Sequence, residues 1–205
     1  MDNYEKMAEM ARERFLSYPQ EEIIRRWDLE ADQEWIIFSF FNETYRLRRK
    51  DGVLVPEGAF WRNGRQGRTA RTLVDDTMVI YDLLCHAPKR PTLAGSWESV
   101  SSLGGIIGAG HDRALKHNEQ ADLLGEDLQR VREDCRRLGG VEQKQGDVSF
   151  ILPVTGFFPV WFQLWAADDE FPASVRFLWD RNALQFMHYE TLWYVMNCVF
   201  TRLIR

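Results

Sequence analysis

The chain predicts an α+β fold: an antiparallel sheet of about five strands packed with helices, and long helices at the N-terminal and C-terminal ends. Three patterns lead there. Apolar residues recur at helical spacing over the first thirty positions, the period falls to two in the hairpin-like stretch after Glu34 and again after Val148, and a broad apolar helical face closes the chain.

The first helix spans 3–18, where Tyr4, Met7, Ala8, Ala11, Phe15 and Tyr18 alternate with Glu5, Glu9, Arg12 and Glu13. Pro19 suits the first turn of a second helix running to about Asp28, because its missing N–H has no helical partner there in any case. Trp35–Phe41, the turn Asn42-Glu43-Thr44 and Tyr45–Arg49 read as a β-hairpin, followed by a turn at Lys50-Asp51-Gly52. Glu57–Arg71 holds three glycines and four arginines with little apolar period, and reads as a loop. A mostly apolar helix follows at Leu73–Cys85. Pro88–Gly110 is rich in Pro, Ser and Gly and reads as irregular, anchored by Trp97 and Leu103. Two helices occupy 112–138, broken at Gly125; the second carries the stripe Leu124, Leu128, Val131, Cys135, Leu138 and is ended by Gly139 in a left-handed cap. Val148–Val154, Phe158–Trp165 and Val175–Trp179 are strands; the middle one is apolar on both faces and belongs in the centre of the sheet. The last helix spans Tyr189–Leu203. With 205 residues, one domain is expected, as a helical lead segment over 1–30 and a core over 34–205.

Composition narrows the function. A net charge of -5 repels a phosphate backbone, which argues against nucleic-acid binding. No run is long and apolar enough to span a bilayer and the N-terminus has no signal-peptide pattern, so a cytoplasmic protein without a membrane role is expected. Three widely spaced cysteines, Cys85, Cys135 and Cys198, make neither a disulfide framework nor a four-thiolate iron–sulfur site.

Gly146-Asp147 and the apolar strand after it, Asp169-Glu170-Phe171-Pro172, Leu178-Trp179-Asp180, Glu190, and the helix 77–85 followed by Gly95-Ser96-Trp97 resemble the prokaryotic family described as domain of unknown function 3786. The resemblance covers roughly Glu34 to the C-terminus. It implies no activity and no catalytic residues. Some relatives carry an added iron–sulfur domain and come from anaerobes, which implies redox or corrinoid-linked metabolism; this chain lacks the four cysteines for such a cluster.

Candidate sites follow from residue types. Asp168-Asp169-Glu170 gathers carboxylates that could hold Mg²⁺ or Ca²⁺, although a charged turn that bonds backbone N–H groups is the favoured account, so no metal ligand set is assigned. Asp169, Glu170, Asp180, His188 and Glu190 form the best catalytic candidate: if the last helix packs back on the sheet, carboxylates and an imidazole could converge for acid–base work, against a plain capping role. Asp82, inside an apolar helix, must find a partner, and a buried structural hydrogen bond is preferred to catalysis. Arg62, Arg65 and Arg68 with Gly108 and Gly110 could receive an anion, since the glycines precede a helix start; the spacing is not that of a dinucleotide fingerprint. His111 and His117, six apart, and the adjacent Cys85-His86 give no helical metal pair. Trp161, Trp165, Trp179 and Trp193 either fill the core or line a pocket for a flat cofactor such as a corrinoid, flavin or haem; core packing is favoured.

Three functions are therefore carried forward. The first is a noncatalytic binding or accessory protein in anaerobic metabolism that handles a cofactor of unknown identity or a protein partner. The second is a small-molecule enzyme using the acidic and histidine residues above. The third is a homo-oligomeric structural protein whose N-terminal helix supplies an interface.

Overall fold

A computed structural model describes residues 3–57, 70–87, 89–103 and 118–204. The helices are α1 (Asn3–Ser17), α2 (Gln20–Trp27), α3 (Ala70–Cys85), α4 (Asn118–Gly125), α5 (Leu128–Arg137) and α6 (Thr191–Leu203). The strands are β1 (Glu30–Ala31), β2 (Trp35–Phe40), β3 (Glu43–Arg48), β4 (Leu54–Pro56), β5 (Trp97–Glu98), β6 (Val141–Glu142), β7 (Val148–Thr155), β8 (Phe158–Trp165) and β9 (Ser174–Asp180). The α+β class is as expected.

The sheet runs β4-β3-β2-β7-β8-β9-β5, with β1 added to β2 and β6 to β7, and every pairing is antiparallel. It is larger than the five strands expected because four of its strands have only two or three residues. Segments that short carry no alternation, and their pairing is set by neighbours rather than by their own residues. β5 lies in the stretch read as irregular, where Trp97 pairs with Asp180 and Glu98 with Trp179.

β2 and β3 form the hairpin, from Trp35 opposite Arg48 to Phe40 opposite Glu43. Its turn uses left-handed backbone at Phe41 and Asn42, which tightens the reversal to two residues. β8 lies between β7 and β9, as its apolar pattern requires. Its Phe158, Val160, Phe162 and Leu164 are buried, whereas Pro159, Trp161 and Trp165 on the opposite face are half-buried.

α3 is the hub of the helical layer, packing against α1 on one side and α6 on the other, with α2 beside it. α4 lies on β8 and β9, and α5 on β7. Asp127 caps α5 by accepting the Arg130 N–H at 3.0 Å. Gly139 ends it with a φ of 78°, and the next amide, Gly140 N–H, returns to Cys135 C=O at 2.9 Å. α3 begins at Ala70, earlier than the apolar pattern indicates, and α6 begins at Thr191, two residues later than expected.

The contact between α3, α6 and the hairpin is locked by a buried ion pair. Arg202 sends its two terminal nitrogens to the two oxygens of Asp76, each at 2.9 Å, and both side chains are 0% exposed. Tyr45 donates its hydroxyl to Asp76 at 2.5 Å and Cys198 donates its thiol at 3.1 Å. The guanidinium lies over the rings of Phe40 and Phe41.

Candidate functional site

Asp82 lies in the last turn of α3, and His86, the residue after that helix, sits one turn further on the same side, its N–H bonded to the Asp82 C=O at 2.8 Å. His188 reaches them from the segment that connects β9 to α6. That segment is pinned by the short 3₁₀ turn Ala183–Gln185 and by Phe186 and Met187, both buried in the core.

Asp82 divides its carboxylate between two tasks. Oδ2 accepts the backbone N–H of His188 at 2.7 Å and the Thr191 hydroxyl at 2.6 Å, which ties down the start of α6. Oδ1 accepts the Nδ1–H of His188 at 2.6 Å. The His188 ring is therefore oriented by a carboxylate that is itself fixed, and in the neutral ring this tautomer puts the electron pair on Nε2. The Asp82 side chain is 10% exposed and that of His188 48%.

His86 packs its ring edge-to-face on His188, with centroids 4.2 Å apart. Its Nε2 lies 3.1 Å from the Leu184 carbonyl, which can only accept, so Nε2 carries the hydrogen and Nδ1 the electron pair. Burial holds the His86 pKa below the usual imidazole range, although the Asp82 carboxylate pulls the other way.

Above Asp82 and His188 opens a cleft of about 220 Å³ between α1, α3 and α6. Met7, Ala11 and Met78 give it an apolar side; Arg14, Glu190 and Tyr194 give it polar ones. The arrangement offers the His188 imidazole and the Asp82 carboxylate at the wall of a space of small-molecule size, with the His86 ring packed against His188, the elements needed for proton transfer or for holding a cation.

Of the five catalytic candidates, the structure brings His188 and Glu190 to this cleft and leaves the others elsewhere. Asp180 is buried at the end of β9, where Oδ1 accepts the N–H groups of Ala94 and Asn182 and Oδ2 that of Gly95, so its carboxylate braces a loop. Asp169 and Glu170 are exposed in the β8–β9 connection, which Asp168 closes by accepting the N–H groups of Glu170 and Phe171. Those two bonds hold the Asp168 carboxyl below the usual range. Asp82 stands where Asp180 was expected. The signal for it was present as an i, i+4 carboxylate–imidazole pair, Asp82 and His86, on one helix face.

The four tryptophans part company. Trp165 and Trp179 line a second, larger groove of about 1050 Å³, with Phe171, Arg176, Asp147 and Met196 among its other walls. Trp161 instead packs edge-on against Trp97 and donates its Nε1–H to Ser149 Oγ at 2.9 Å. Trp193 is half-buried against the core. Arg62, Arg65, Arg68, Gly108 and Gly110, and with them His111 and His117, lie outside the described residues. No described helix is long and apolar enough to cross a membrane.

The fold and cleft define an α+β protein with a histidine–carboxylate site. The chain belongs to the family described as domain of unknown function (DUF3786), whose model matches residues 20–202. Comparison with curated proteins and with solved structures returned no match.

Proposed function

We propose that the protein is an enzyme acting on a small molecule in the cleft above Asp82 and His188. The observation that carries this reading is the division of labour in the Asp82 carboxylate: one oxygen anchors α6 and the other orients the His188 ring beside the cleft. A ring held this way exchanges a proton, or shares an electron pair, without the cost of reorienting. Glu190 and Arg14 supply charges of both signs at the walls, which suits a small polar substrate. Three free, buried thiols accord with a reducing, cytoplasmic compartment.

The test is to incubate the wild-type protein and a His188→Gln variant with a desalted metabolite extract and to compare the two by mass spectrometry. At least one metabolite is expected to be consumed by the wild type and spared by the variant. Identical profiles from two folded proteins would refute the reading.

A second reading is a noncatalytic accessory protein of anaerobic metabolism that holds a flat cofactor. It is favoured by the groove beside Trp165 and Trp179, whose volume is large enough for such a ligand. Saturable quenching of tryptophan fluorescence by flavin, haem or a corrinoid, lost in Trp165→Leu, would support it; no saturable response would remove it.

A further inference from the structure

The Asp82, His86 and His188 side chains each offer one ligand atom, and these three atoms lie within 4.8 Å of one another. One carboxylate oxygen and two imidazole nitrogens form a mixed donor set. Magnesium and calcium prefer oxygen alone, whereas zinc, iron(II) and cobalt(II) accept imidazole readily. We infer that Asp82, His86 and His188 hold a divalent transition-metal ion at the edge of the cleft, with its remaining positions open to substrate. For the use of the ion this rests on the reading of the cleft as an enzyme site, with the ion taking over from the Asp82–His188 hydrogen bond in holding the ring; for its binding it does not.

The surroundings supply what such ligands need. A metal-bound histidine usually donates its other N–H to a fixed acceptor, and His86 does so to the Leu184 carbonyl. The second oxygen of Asp82 is held by the His188 amide and by Thr191, which leaves Oδ1 as the oxygen able to turn to an ion. Metal–ligand bonds of about 2.0–2.2 Å put the donor atoms of one ion roughly 3–3.5 Å apart. The Oδ1–Nδ1 pair, at 2.6 Å, must open slightly and the wider pairs must close. On entry the ion takes the Nδ1 electron pair of His188, and the hydrogen on Nδ1 moves to Nε2 of the same ring. The imidazole stays neutral, and the carboxylate charge falls on the ion.

The full chain, stripped with a chelator, would be titrated anaerobically with cobalt(II) and followed by visible absorption and equilibrium dialysis, with zinc(II) as competitor. His86→Gln and His188→Gln would be measured in parallel, each checked for fold by circular dichroism. The expected result is one cobalt ion per chain, displaced by zinc, with affinity lowered at least about ten-fold in each folded variant. No saturable uptake, or uptake unchanged in a folded variant, would overturn the site. Metabolite consumption that needs His188 in a protein taking up no metal would sink the metal site and leave the enzyme reading standing. Uptake that needs His86 and His188 without any metabolite consumed would do the reverse.

Discussion

Replacing Arg202 by Met removes one half of a fully buried ion pair. The guanidinium makes two 2.9 Å bonds to Asp76, and one each to the Tyr45 hydroxyl and the Cys198 carbonyl at 3.1 Å. In the variant, Asp76 keeps the Tyr45 hydroxyl and the Cys198 thiol but has no cation, and at 0% exposure it has no water to take its place. Orphaning one member of a buried pair costs about 3–5 kcal/mol. For a chain of this length each kcal/mol lowers Tm by about 2–4 °C, so a fall of roughly 6–20 °C is expected. Urea denaturation, with m unchanged, measures the loss directly. The double variant Arg202→Met, Asp76→Leu removes both charges and should recover at least half of it. A single variant within about 1 kcal/mol of wild type, or a double variant less stable than the single, would refute the premise that an uncompensated carboxylate sets the penalty.

Four further outcomes follow from the same structure. Asp82→Asn should cost about 2 kcal/mol, because an amide cannot accept from all three donors that the carboxylate serves, and hydrogen exchange should quicken at 188–192. In Gly140→Ala the new methyl would meet Leu152 Cδ2 at 2.7 Å and the Cys135 carbonyl at 2.8 Å; a loss of about 1–3 kcal/mol in urea denaturation is expected. His86 has a lower pKa folded than unfolded, so its contribution is present above about pH 6.5 and is lost as pH falls through the folded value; the urea midpoint should drop from pH 7 to 5, and less steeply in His86→Gln. Burial pushes the Cys85 thiol up to about 12 and raises Cys135 and Cys198 as well, so iodoacetamide at pH 8 should label none of the three until denaturant is added, as read by mass spectrometry.

The parts of this protein that its sequence determined are those whose physics is local. The β2–β3 hairpin follows from two runs of apolar and β-prone residues, although its turn falls at Phe41-Asn42 rather than at the expected Asn42-Glu43-Thr44, and the interior place of β8 follows from a strand apolar on both faces. Gly139 ends α5 because a left-handed residue is needed there and glycine adopts it without strain. Family membership was legible in the same stretches, from Gly146-Asp147 to Glu190.

The tertiary structure alone decided what the polar residues do. A carboxylate in an apolar helix announces that Asp82 needs a partner, but the partner lies 106 positions away and is brought there by the packing of α6 on α3. Asp180 and His188, eight positions apart in the chain, were separated in role because Asp180 met the amides of residues 94 and 95, which β5 lays beside the end of β9. Trp165 and the core residue Trp179 border the larger groove whereas Trp161 and Trp193 pack against neighbouring elements, a division set by contacts between elements. Periodicity fixes which face of an element is buried; which polar groups then meet depends on contacts between distant elements, and no local pattern records those.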